Sequence, residues 1–420
     1  MTNMKVLHFI PNLEAVERSP LLSYKVALLA SMSGKADVTV LTCNAGKVSL
    51  GGIEIKECLA SAVVIGRGRR RLRRLLTAMR PDVVHIHACW NHVAGVLFKE
   101  CARLKVPTVL TVDRRLESWH VKRHYWSGKL PMSVMFQRRM LKDAGALHFI
   151  TQQEQARFEY FGWHPLVKAS HPINTRTVTI SPFNITAGTS AETMTGSLLA
   201  LYQKVADSAP FNQMSDDERK VEDLLLGISL SDNGRVKISD GDISLLRSID
   251  GKSWRRILIH SYDENISENV YEGLRQAGMP IPAVAAGTLD RFALRACDAG
   301  GKPKDVSSDA KIARLMSDKS IPQLERGVCV ELVGLLLKIR YGYAHRSDFV
   351  RLYRKLRFED YDEDLVYGKI RGLGLAKDAA RLFKIMEERY GLGQGFMFAD
   401  PLDDKGTMKL REKLFKSEIQ

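Results

Sequence analysis

Along the first 180 residues the apolar positions alternate between short continuous runs and helical spacing. "MKVLHFI" (4–10), "DVTVLT" (37–42), "DVVHIH" (82–87), "PTVLTV" (107–112) and "GALHFI" (145–150) read as strands, "GIEIKEC" (52–58) alternates with period two, and "PLVKASHPI" (165–173) holds a last strand. Between them, "PLLSYKVALLASMSG", "GRRRLRRLLTAM" (68–79), "VAGVLFKECARLK", "PMSVMFQRRMLKDA" and "TQQEQARFEYFG" carry helical spacing. Strands separated by helices in this rhythm predict a doubly wound parallel sheet, an α/β Rossmann-like domain over residues 1–187.

The rhythm stops near residue 185. "NITAGTSAETMTGS" is polar and small, suited to a linker or loop. Helical patterns then follow at 196–209, 215–227, 263–277, 321–340, 347–357, 362–371 and 376–390, so residues 188–420 read as a mainly helical domain. "RRILIHS" (255–261) is open between a strand and the middle of a helix.

Charge sharpens this division. The net charge is +15, and residues 1–190 hold 27 Lys and Arg against 12 Asp and Glu, so the rest of the chain balances. An acidic partner for the first domain follows: anionic lipid, a phosphate-bearing substrate or nucleic acid. "RGRRRLRRLL" (67–76) places six arginines in eight positions, with Leu72, Leu75 and Leu76 on one side. That pattern suits an anionic membrane, leucines down, with Arg69, Arg70, Arg73 and Arg74 toward lipid phosphates; a solvated basic helix is the plainer reading. No nucleic-acid module accompanies it. Six cysteines without paired spacing predict reduced thiols. With no long apolar span and no signal peptide visible, the expected location is the cytosol, with peripheral contact at the inner membrane face.

Several segments in order, "MKVLHFIPNL", "RPDVVHIHACW", "VPTVLTVD", "FQRRMLKDAGALHFIT", "EQARFEYFG" and "HPINT", resemble the N-terminal domain of GT-B glycosyltransferases, in particular glycosyltransferase family 4, over residues 4–185. The resemblance implies a Rossmann-like acceptor-side domain and a nucleotide sugar as donor substrate, with no separate cofactor. In such a sheet His87 stands at the carboxyl end of its strand, where open parallel sheets bind ligands, whereas His85 reads as a core histidine satisfied by a neighbouring backbone group. Asp113 occupies a position that is often histidine in the family, at the start of an acceptor-binding loop. It could orient or deprotonate an acceptor hydroxyl, or cap the next turn and pair with Arg114 or Arg115. His120 and His124, four apart, lack a ligand signature, so no metal is expected. "RHYWSGK" (123–129) suits an interface, a sugar face or a solvated loop.

The second half departs from that family, whose C-terminal domain is a second Rossmann unit. Glu264 and Glu272 keep the spacing of its donor-side glutamate pair, but the glycines and aromatic that accompany it are missing, and Glu264, Glu268 and Glu272 read as one exposed helix face. Two function classes stay open. One is a hexosyltransferase acting on a polysaccharide or glycolipid acceptor at the cytoplasmic membrane face. The other is a non-catalytic derivative for binding or assembly, without a donor site.

Overall fold

The computed structural model describes residues 4–19, 24–58, 67–113, 120–156 apart from 122 and 124, 174, 176–181, 191–208, 214–231, 238–282 and 306–414. The chain divides into two compact units, the first built mainly of Met1–Gln213 and the second of Met214–Thr288 with Arg295–Gln420.

In the first unit, β1 (Lys5–Phe9), β2 (Asp37–Thr42), β3 (Glu54–Glu57), β4 (Val83–Ile86), β5 (Thr108–Thr111), β6 (Ala146–Phe149) and β7 (Thr177–Thr179) form one sheet in the order β3-β2-β1-β4-β5-β6-β7. Every pairing is parallel. The order reverses between β1 and β4, and a crevice outside the carboxyl ends of strands at such a reversal is where ligands bind in doubly wound folds. Both faces are covered, which is why the strands read as apolar runs rather than as alternating ones. On one face α1 (Leu13–Arg18), α2 (Tyr24–Met32) and a later helix, Ala191–Asp207, bury Val6, Val40, Val83 and Val109. On the other, α3 (Arg67–Met79), α4 (His92–Arg103) and α5 bury Leu7, Phe9, Val84, Ile86 and Phe149. Helix α5 is a continuous run through Tyr125–Lys129, Leu130–Met132, Ser133–Gln137 and Arg138–Asp143, of which the first and third stretches are π-helical. After β6, α6 spans Gln152–Ala156.

Two expectations change here, and a third falls on residues outside those described. The segment 165–173 lies outside the described residues, and the last described strand is β7, farther on. The second half of the polar stretch at 184–197 is not a loop but opens α7 (Ala191–Asp207), because Met194, Leu198, Leu201, Tyr202 and Val205 recur at helical spacing and bury against the sheet. The first unit therefore runs past residue 187. On α3, Leu72 and Leu76 are buried in the core, so this helix cannot lay its leucines on a lipid surface. Arg69 and Arg73 each donate from Nε to the fully buried carboxylate of Glu100 on α4, at 2.6 and 2.7 Å. Arg70, Arg71 and Arg74 are the exposed ones.

The second unit is helical throughout its described residues: α8 (Asp216–Leu230), α9 (Asp240–Ser248), α10 (Gly251–Asp263), α11 (Ser267–Gln276), α12 (Ala310–Ser317), α13 (Gln323–Tyr341), α14 (Arg346–Phe358), α15 (Glu363–Gly372), α16 (Ala376–Tyr390) and α17 (Lys405–Leu414). "RRILIHS" is the middle of α10. α11 crosses α8 so closely that a Cβ on Gly273 would sit 2.2 Å from the Leu225 carbonyl oxygen. The single helix expected at 263–277 is instead two. Asn265 takes a left-handed turn (φ 53°) and the Ile266 N–H returns to the Ser261 carbonyl, which ends α10 and leaves Glu264 in the turn, off the helix face of Glu268 and Glu272.

Candidate functional site

Val83, His85 and His87 project to one side of the β4 line, as their alternation requires, and β1 sets His8 beside His85 in register. The result is a buried polar row on the face covered by α2 and α7. His85 Nδ1 lies 2.6 Å from the Tyr202 hydroxyl, its Nε2 2.6 Å from Thr111 Oγ1, Thr111 Oγ1 2.9 Å from His148 Nδ1, and His148 Nε2 3.0 Å from the Ile180 carbonyl. Burial holds all of these imidazoles neutral: His148 is pushed down to about 4, and His85 well below its ordinary value. Neutrality then orients the whole chain of bonds. The Ile180 carbonyl can only accept, so His148 donates from Nε2 and accepts at Nδ1 from Thr111. Thr111 in turn accepts from His85 Nε2, and His85 Nδ1 accepts from Tyr202. His85 is thus a core histidine, as expected, but its partners are side chains rather than backbone, and one of them fastens α7 to the sheet.

His87 differs. Its Nε2 lies 3.0 Å from His8 Nδ1, while the outer nitrogens, His8 Nε2 and His87 Nδ1, are buried without a protein partner. Burial pushes His8 down to about 3, and burial with the neighbouring His85 and Lys25 keeps His87 well below its ordinary value. In a neutral pair one ring donates to the other. Whichever does, the two outer nitrogens offer one N–H and one lone pair.

Asp113 follows β5, the neighbour of β4, and carries φ 54°. Its carboxylate pairs at 3.0 Å with Lys25 of α2, whose side chain is buried. Pairing with Arg114 or Arg115 lies outside the described residues. Lys25 also acts on His87 and His148, and the negative charges of Asp113 and Glu154, after burial itself, raise the buried Tyr24 hydroxyl, which has no protein partner. His87 and Asp113 therefore follow adjacent parallel strands at one edge of the sheet, with Lys25 paired to Asp113 and its charge felt at His87. In the loop after β4, Trp90 also has a left-handed backbone (φ 58°), costly for a bulky side chain, with its N–H held by Gln137 Oε1 at 2.8 Å. Sequence reasoning had no means to find Lys25, Tyr24 or His8, because their partners lie far along the chain.

Ligand nitrogens of His8, His85 and His87 lie within 4.8 Å of one another. However, the His85 and His87 rings lie face to face at a tilt of 32° with centroids 3.9 Å apart, and both His85 nitrogens are already engaged. The triad as built is a hydrogen-bonded core. His124 lies outside the described residues.

The glutamates of the second unit are placed apart by their partners. Glu264 accepts from the Arg346 backbone N–H at 2.7 Å, whereas Glu272 is half-buried and paired with Arg275 at 2.6 Å.

Residues 32–167 match the family described as a glycosyl transferase 4-like domain. The matched stretch holds β2 through β6 with His85, His87 and Asp113; His8 and Lys25 precede it. No curated protein and no solved structure matches the chain. The parallel-sheet unit therefore carries a glycosyl transferase 4-like domain of the N-terminal GT-B kind, and the protein is glycosyltransferase-like.

Proposed function

We propose that the protein transfers a hexosyl group from a nucleotide sugar to a hydroxyl of a polysaccharide or glycolipid acceptor at the cytoplasmic face of a membrane, with the acceptor held at the carboxyl edge of β4 and β5. What supports this reading is that His87 and Asp113 follow the neighbouring parallel strands β4 and β5, within a glycosyl transferase 4-like match. A hydroxyl both donates and accepts. Its proton is matched by the Asp113 carboxylate as acceptor. Lys25 holds that carboxylate in place. Among the described residues, no helix is long and apolar enough to cross a membrane, so contact with lipid in this proposal is peripheral.

A second reading, a non-catalytic binding or assembly protein, is favoured by the second unit, whose described residues form helices and no sheet. If Glu272 served a donor, Glu272→Gln would weaken it. The pairing of Glu272 with Arg275 leads us to expect weak binding of nucleoside diphosphate sugars to the isolated chain in calorimetric titrations, with no change on Glu272→Gln. Tight binding abolished by that substitution would restore an ordinary two-Rossmann donor site.

A further inference from the structure

Among the described residues of the first unit, the exposed large apolar side chains are Trp126, Val134 and Met135, at 59, 66 and 68 %. All belong to α5. Its inward side is accounted for, since Phe136, Met140 and Leu141 join the core beneath the sheet. Its outward side changes character along the axis: the apolar residues come first, and Arg138, Arg139 and Lys142, also exposed, follow. Single exposed apolar residues need no explanation, but a cluster on one helix bordered by cations marks an interaction surface. Helices α3 and α4, which cover the same face of the sheet, add exposed Arg70, Arg71, Arg74, Lys99 and Arg103.

We propose that the outward face of α5 is where the protein rests on a bilayer containing anionic lipid, with Trp126, Val134 and Met135 entering the acyl boundary and Arg138, Arg139 and Lys142 at the phosphates. This deepens the membrane reading above and rests on it. At a rise of at most about 1.5 Å per residue, Val134 and Lys142 stand no more than about 12 Å apart along the axis. An apolar face sinks about 5–10 Å below the headgroups, so a tilted α5 places both ends at the right depth. The charge selects the occupant. A second copy docked on this face would bring its own arginines against these, whereas anionic headgroups complement them.

Co-sedimentation of the full chain with vesicles of phosphatidylcholine, with and without phosphatidylglycerol, tests this. Three variants are compared with the unsubstituted protein: Val134→Asp with Met135→Asp, Arg138→Gln with Arg139→Gln, and Arg70→Gln with Arg71→Gln and Arg74→Gln. The last set spares Arg69 and Arg73, whose loss would strand Glu100. The substituted side chains are exposed, and circular dichroism checks that each variant folds. Binding confined to the anionic vesicles and reduced at least tenfold by the aspartate pair and by the α5 arginine pair supports the proposal. If the aspartate pair binds like the unsubstituted protein while the α3 set is released, the membrane reading stands and the α5 face is refuted. If the unsubstituted protein ignores both vesicles, both fall. A change of solution mass in the aspartate pair without loss of lipid binding would assign the face to a second copy and overturn the proposal.

Discussion

The first unit is expected to lose roughly 3 kcal/mol of stability between pH 6.5 and pH 5 through His8 and His148 alone, with His85 and His87 adding to the loss. His8, His85, His87 and His148 are all held below their ordinary values by burial, to about 3 for His8 and about 4 for His148. The unfolded chain, titrating near pH 6.5, therefore takes up protons before the folded one does. Stability is full above that pH and declines as the pH falls, until the folded-state values near 4 and 3 are passed. Each group costs about 1.4 kcal/mol per pH unit inside this window. Amide exchange of β1, β4, β5 and β6 in the full chain at pH 7.5 and pH 5 reads the effect for this unit. Protection that stays constant would mean that the row is not buried and neutral.

In the second unit, Glu222→Ala should destabilise by about 3–5 kcal/mol, the cost of removing one partner from a buried ion pair. The Glu222 carboxylate is buried, with both oxygens 2.8 Å from His260 Nδ1 and one 2.6 Å from Arg346 Nη1. Burial alone would raise its pKa, yet His260 and Arg346 hold it below the usual carboxylate range. Arg346 also binds Asp223, which Arg389 approaches at 3.3 Å, so one network joins α8, α10, α14 and α16. Without Glu222 the buried guanidinium keeps Asp223 alone. Glu222→Gln, which retains an acceptor, should cost less. Urea denaturation compares the two, and a loss below about 1 kcal/mol in the alanine variant would contradict the burial of this pair.

What the residues revealed in advance follows from the range of the interactions involved. Strands such as "DVVHIH" were legible because both faces of a parallel sheet are apolar, and α16 at Ala376–Tyr390 because helical spacing is local. The leucine stripe of α3 was read correctly as one face, but the same stripe serves a core or a lipid, and only the neighbouring sheet decides. His87 and Asp113 were legible from their positions after strands. Lys25, which pairs with Asp113, lies 88 residues from it, and Tyr202, which fixes His85, lies 117 residues from it, beyond a stretch that reads as a linker. The turn at Glu264 was hidden because left-handed backbone at Asn265 leaves no periodic mark.

The most direct test of the account is transfer itself: labelled hexose carried from a panel of nucleotide sugars to polysaccharide or glycolipid acceptors by the full chain, beside Asp113→Asn, with its Lys25 neighbour intact. The account predicts transfer by the unsubstituted protein and a fall of at least about a hundredfold in the variant, the scale of a lost acid–base group. Transfer undiminished by Asp113→Asn, or none with any donor, would contradict it.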